Sequence, residues 1–174
     1  NLDNKFIIIT HNCDINIDNV DNLPNNVIKW FAQNINCVDD RLESIPIGLE
    51  NSIWYPQVQK QKKIYNKVIE PKNIMNLVYM NHNINTNVKE RIAPFDALNG
   101  KKFVTTEIRS NGVDFENYIN KIYNHKFVVS PEGNGIDCHR TWETLYLNSI
   151  PLMKKNINNQ YYTDLPICLV DEWE

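Results

Sequence analysis

Six short, uninterrupted apolar runs constrain this chain more than any other feature. They are Phe6–Ile9, Leu77–Met80, Phe103–Thr105, Phe127–Val129, Ile150–Met153 and Ile167–Val170, each bounded by polar or turn residues. Runs of this length without polar alternation suit strands covered on both faces, the pattern of parallel sheets. Segments with helical spacing lie between them. Leu23 to Asn34 carries Val27, Trp30 and Phe31; Val113 to His125 carries Phe115, Ile119 and Ile122; His139 to Asn148 carries Trp142, Leu145 and Tyr146, which with Ser149 just beyond it form the expected core face. Strand and helix in alternation predict an α/β fold, a parallel sheet with flanking helices joined by right-handed crossovers.

The 174 residues suit one domain or two small lobes and bury a sizeable core without metal or disulfide staples. A net charge of −3 argues against a general nucleic-acid binder. The mean hydropathy is −0.48, and no apolar run approaches the ~18 residues of a membrane span. Cys13, Cys37, Cys138 and Cys168 are far apart, with no CxxC pair and no histidine at metal-ligand spacing, so no metal is expected. Free thiols predict a reducing, cytoplasmic compartment. About one residue in six is asparagine, yet none stands in an Asn-x-Ser/Thr acceptor. The first residue is Asn1, which is read as the start of a trimmed chain.

Residues 56–73 differ from the rest. Gln57-Val58-Gln59-Lys60-Gln61-Lys62-Lys63 is polar and basic, bracketed by Pro56 and Pro71, and reads as a solvated helix or a linker. It divides a front segment, 1–55, from a back segment, 74–174.

Residues 126–154 carry the chemistry, in the order strand, glycine-bearing loop, helix, strand. Gly133 and Gly135 flank Asn134 and permit a tight turn and close approach of a ligand. Asp137 is the expected N-cap. His139 and Arg140 then occupy the first helical turn, where a cation opposes the helix dipole. That placement makes sense with an anion in front of the helix, held by backbone N–H groups and the guanidinium. Glu143 and Glu132 are candidates for sugar or ribose hydroxyls. A purely structural account stands beside this: an Arg140–Glu143 surface pair, or Glu132 with Arg140, a capped His139, and glycines serving the turn alone.

The stretch SPEGNGIDCHRTWETLYLNSIPLM resembles the sugar-nucleotide motif of exostosin-like glycosyltransferases. LPICLVDEW resembles the strand and Asp-Trp that follow in such proteins. Leu77–Asn81 with Asn85-Thr86-Asn87 and Arg91 resembles the first strand and helix of the same lobe, and Ile45-Pro46-Ile47-Gly48-Leu49 the end of the preceding lobe. Asn148-Ser149 stands where the family usually has glycine, and the chain has about half the length of a two-lobed enzyme. The resemblance implies a GT-B arrangement of two Rossmann-like lobes, here partial. Residues 1–55 would end the acceptor-side lobe and 74–174 would form most of the nucleotide-sugar lobe.

Carried over by residue, Arg140 would contact the diphosphate, Glu143 the ribose or donor sugar, and Gly133–Gly135 the phosphates through main-chain N–H groups. Arg91 and Arg109 would add positive charge. The activity implied is hexosyl transfer from a UDP- or GDP-sugar to a glycan or other acceptor, with no metal or other cofactor required. The base would come from the front segment, where His11 and Asp14 follow the strand Phe6–Ile9; His82 follows another strand in the same way. The alternative is a non-catalytic nucleotide- or sugar-binding module. A hydrolase elbow (G-x-S-x-G), a P-loop and G-x-G-x-x-G are all absent from the sequence.

Overall fold

The computed structural model describes residues 4–51, 53, 59–107 and 114–174. The chain is α/β, with two sheets built from parallel strands. The front sheet holds β1 (Phe6–Thr10), β2 (Val27–Ala32) and β3 (Leu42–Ser44) in that spatial order. β2 corrects the expected helix over Leu23–Asn34. Val27, Trp30 and Phe31 fit helical spacing, but Ile8 pairs with Trp30 and Trp30 with Leu42, so β2 has a partner on each edge. Those ladders, together with the β-branched and aromatic residues of Val27–Phe31, outweigh the periodicity.

β1 departs from expectation in another way. Ile7 and Ile9 are 58% and 69% exposed, so this edge strand is not covered on both faces. The opposite face of the front sheet is packed, around Ala32, Ile35 and Leu42. Ile157 and Tyr161 from the far end of the chain complete that cluster. The side chain of Asn158 accepts from the Ile35 amide at 3.0 Å and from Ser44 Oγ at 3.1 Å, and Tyr162 meets Ser44 Oγ at 2.6 Å.

The back sheet holds β4 (Asn76–Met80), β5 (Val104–Thr106), β6 (His125–Val129), β7 (Ile150–Lys154) and β8 (Cys168–Val170). Its spatial order is β5-β4-β6-β7-β8, all parallel. The pleat divides its core. Tyr79 and Val128 face α1 (Lys60–Val68) and α3 (Phe115–Tyr123), packing with Ile64, Ile119, Ile122 and Tyr123. Val78, Met80 and Val129 face the other way, with Phe95 and Leu98 of α2 (Val88–Leu98) and with Trp173. The sheet is therefore wound on both faces, and its order changes direction between β4 and β6. A crevice at the carboxyl ends of those two strands follows from that reversal.

The basic segment contributes α1, whose Ile64 is buried, rather than an unstructured linker over its described part. Lys72 beyond it reaches the carbonyls of Leu147 and Asn148 at 2.8 and 2.6 Å, at the end of α4 (His139–Tyr146). A cation suits a helix carboxyl end. Of the expected core face, Trp142 and Ser149 are buried but Tyr146 is exposed; Thr141 and Thr144 of α4 and Leu147 at its end are buried as well. Among the described residues, no helix is long and apolar enough to cross a membrane.

Candidate functional site

Loops that follow strand carboxyl ends in both sheets converge on one cleft of about 460 Å³. Asn12 and Asp14 come from beyond β1, and Ile47 from beyond β3. Thr86 and Arg91 come from beyond β4, and Gly133–Gly135 with Asp137–His139 from beyond β6. Seven of the residues named from the sequence line it: Asp14, Arg91, Gly133, Asn134, Gly135, Asp137 and His139. Arg109 lies outside the described residues.

The strip Ile45–Leu49 joins the two halves. His11 Nε2 donates to the Pro46 carbonyl at 3.1 Å, the Ile47 amide donates to Asp137 Oδ2 at 2.7 Å, and His139 Nδ1 donates to the Gly48 carbonyl at 2.8 Å. Gly48 has φ +68°, a left-handed turn that suits glycine. These bonds place His139 at the rim of the cleft and hold the front loops against the start of α4.

Asp137 is not the N-cap. Cys138 occupies that position in extended geometry, with no side-chain cap bond. The Asp137 carboxylate takes the Ile47 amide and, through Oδ1, the Trp142 indole N–H at 2.7 Å. It is buried, and desolvation outweighs those bonds and raises its pKa to about 6. Those donors offset only part of the cost of burying the carboxylate. The start of α4 is left without a side-chain cap, and Cys138 and His139 border the cleft. Burial also pushes the Cys138 thiol up to about 11, which leaves it un-ionised and inert near neutral pH.

The glycines are explained by protein atoms. A Cβ on Gly135 would lie 2.7 Å from Asn34 Nδ2 and 2.8 Å from Asn34 Oδ1, and one on Gly133 would meet Cys138 Sγ at 2.9 Å. Asn34, at φ +54°, donates from Nδ2 to the Cys13 carbonyl at 2.7 Å and accepts the Asp137 amide on Oδ1 at 2.8 Å. The close approach that Gly135 permits is to this side chain of the front segment. No local signal marks Asn34, because its partners stand 21 and 103 residues away.

Arg91 is buried on α2. Its Nε donates to the Glu132 carbonyl at 2.7 Å and its Nη1 to the Asn83 carbonyl at 2.8 Å, so its charge borders the cleft while its donors brace the loop. Glu132 does not line the cleft. Its Oε1 accepts from Asn156 Nδ2 at 2.8 Å, and burial raises its pKa.

Arg140 and Glu143 form a buried network beneath the loop, 9% and 6% exposed, and are not an exposed surface pair. Arg140 Nη1 donates to Asn81 Oδ1, and its guanidinium stacks over the Tyr118 ring at 5.9 Å. Tyr118 Oη donates to Glu143 Oε2 at 2.7 Å, and burial drives that phenol far above its ordinary pKa. The sequence assigned neither Asn81 nor Tyr118 a role in the site. They enter because α3 and the end of β4 are brought beside α4.

The structure separates the two candidate bases. Asp14 is exposed on the cleft wall, while His11 lines a neighbouring cavity of about 390 Å³ with Trp30 and Gln33. His82 is buried with Nε2 against the Arg91 carbonyl at 2.9 Å, and burial lowers its pKa to about 4. Among the described residues, no group of three or more His, Cys, Asp or Glu side chains is placed to hold a metal ion. No protein-family model and no curated protein matches this chain.

Proposed function

We propose that the cleft binds the diphosphate of a nucleotide sugar, and that the chain is a glycosyltransferase or part of one. One observation carries this reading: the cleft is lined by loops from strand carboxyl ends of both sheets, with the uncapped start of α4, Arg91 and His139 on one wall and Asp14 on another. Ligands of wound α/β sheets sit at such ends. A helix start and a guanidinium suit the charge that grows on a leaving diphosphate. In the transfer, the acceptor oxygen bonds to the anomeric carbon as the bond from that carbon to the diphosphate breaks. The acceptor proton passes to Asp14, whose carboxylate is exposed on the same cleft. The resemblance of residues 127–153 to exostosin-like enzymes supports the same reading, and a GT-B arrangement belongs to it.

A second reading, a non-catalytic binding module, is favoured by one specific observation. Two of the residues that the resemblance assigns to the donor, Arg140 and Glu143, are committed to Asn81 and Tyr118. Titration of pyrophosphate and of UDP- and GDP-sugars, followed by amide NMR and a nucleotide-release assay, tests both. Binding that perturbs 133–139 and is weakened by Asn134→Asp supports the diphosphate site, because Asn134 is exposed on the cleft and the change adds a negative charge. Release that Asp14→Asn abolishes without weakening binding supports transfer. Binding without release supports the module. Shifts confined to residues outside the cleft overturn the assignment.

A further inference from the structure

The loop that follows β6 is held from one side by α2. Asn87, which caps that helix, accepts the Glu90 amide on Oδ1 at 3.4 Å and donates from Nδ2 to the Gly133 carbonyl at 2.8 Å. One helical turn later, Arg91 Nε donates to the Glu132 carbonyl at 2.7 Å. Two successive loop carbonyls are therefore drawn toward α2. Loop and helix pack in contact there, since a Cβ on Gly133 would lie 3.0 Å from Arg91 Nη2.

A trans peptide carries its C=O and N–H on opposite sides, and no cis peptide occurs among the described residues. Holding the Glu132 and Gly133 carbonyls toward α2 thus turns the amides of Gly133 and Asn134 away from it. The Gly133 amide closes the loop on the Gly135 carbonyl at 2.9 Å. The Asn134 amide has no acceptor among the described residues, and Asn134 is exposed on the cleft, whose far wall is Asn12, Asp14 and Ile47. Lack of a partner is ordinary for an exposed amide, which water satisfies. A fixed direction is not ordinary here, because a glycine on each side of Asn134 would let an unbraced peptide turn freely. A donor held in place before the ligand arrives loses less entropy on binding and needs no reorganisation.

We propose that Asn87 is a positioning residue of the cleft: by holding the Gly133 carbonyl, it aims the Asn134 amide at the anion that binds there. The inference rests on the reading of the cleft as a diphosphate site. Arg91 braces the preceding peptide in the same way, but its charge also attracts an anion. Asn87 is the neutral half of the brace, so changing it separates orientation from charge.

Titration of the whole chain with inorganic pyrophosphate, followed by calorimetry and amide NMR on the native protein and on Asn87→Ser, tests it. Serine keeps an oxygen to cap α2 but has no amide to reach Gly133, so the fold is retained while the peptide is released and the net charge is unchanged. In the native chain the Asn134 amide proton should move downfield as pyrophosphate binds. In Asn87→Ser that shift should be lost and affinity should fall about tenfold, the size of one hydrogen bond to a charged group. A purely structural Asn87 would lower stability and leave the Asn134 shift in place. Binding that moves the His139 amide but not that of Asn134 in the native chain, or an Asn87→Ser chain that binds as tightly as the native one, would overturn the positioning role and leave the cleft reading standing. If Asn87→Ser does not fold, the Asn134 shift of the native chain decides alone. Failure of the native chain to bind pyrophosphate would sink both.

Discussion

Gly135→Ala probes the contact that sets the spacing between the two halves of the site. The new methyl would sit 2.7–2.8 Å from the amide atoms of Asn34, well inside contact distance. Gly135 is not among the glycines with positive φ, so the change brings no intrinsic backbone strain and its cost is steric. Asn34 is 1% exposed, and its two bonds, to the Cys13 carbonyl and from the Asp137 amide, leave it no free rotamer. Either the loop shifts, at the ~1–3 kcal/mol of overpacking, or a buried donor is orphaned at a similar cost. A total of about 2–4 kcal/mol follows, which at this chain length lowers Tm by roughly 5–15 °C.

The assay is urea and thermal unfolding of a double-mutant cycle with Asn34→Gly, which removes the side chain and tolerates the positive φ. Asn34→Gly should itself cost about 1–3 kcal/mol for the lost bonds. In that background Gly135→Ala should cost under about 1 kcal/mol, giving a coupling well above the scatter of independent sites. Strict additivity of the two changes would refute the argument that Gly135 is glycine because of Asn34.

Other outcomes follow from the same geometry. Asp137 has a folded pKa near 6 against 3.8 for the unfolded residue, so the native state binds the extra proton between those values. Stability should therefore fall by about 3 kcal/mol as pH rises through that window, and Asp137→Asn should flatten the slope; a wild-type stability that rises across the window would contradict the burial argument. Lys72→Met removes the cation from the Leu147 and Asn148 carbonyls and should cost about 1–3 kcal/mol in urea unfolding, although the sequence presents it as part of a solvated basic segment. Tyr118→Phe leaves the buried Glu143 carboxylate without its phenol donor and should cost a comparable amount; an unchanged midpoint would show that the Arg140–Tyr118–Glu143 network is not structural.

Strand and helix alternation was legible wherever apolar residues were consecutive. The five runs of the back segment each coincide with or overlap a strand, and α3 and α4 lie within their expected spans. Local chemistry sufficed there, because periodicity and burial point the same way. It failed at β2, where Val27, Trp30 and Phe31 satisfy both a helix and a strand, and ladder partners on both edges decided the outcome. It failed at Asp137 for a related reason. An acid before a helix is a cap by local rules, but the Ile47 amide, 90 residues away, claimed it.

The candidate site divides along the same line. The chain by itself determined that a glycine-bearing loop leads into a helix starting with His139 and Arg140, since both follow from residues adjacent in sequence. Tertiary structure alone decided which of those two side chains faces open space. His139 stands at the cleft rim, and Arg140 turns inward to Asn81 and Tyr118. The cleft itself belongs to neither segment alone, because its walls come from strand ends in two sheets that meet through Ile45–Leu49. The direction of a side chain depends on neighbours that only chain packing supplies, and hydrogen bonds over such separations leave no local trace in a sequence.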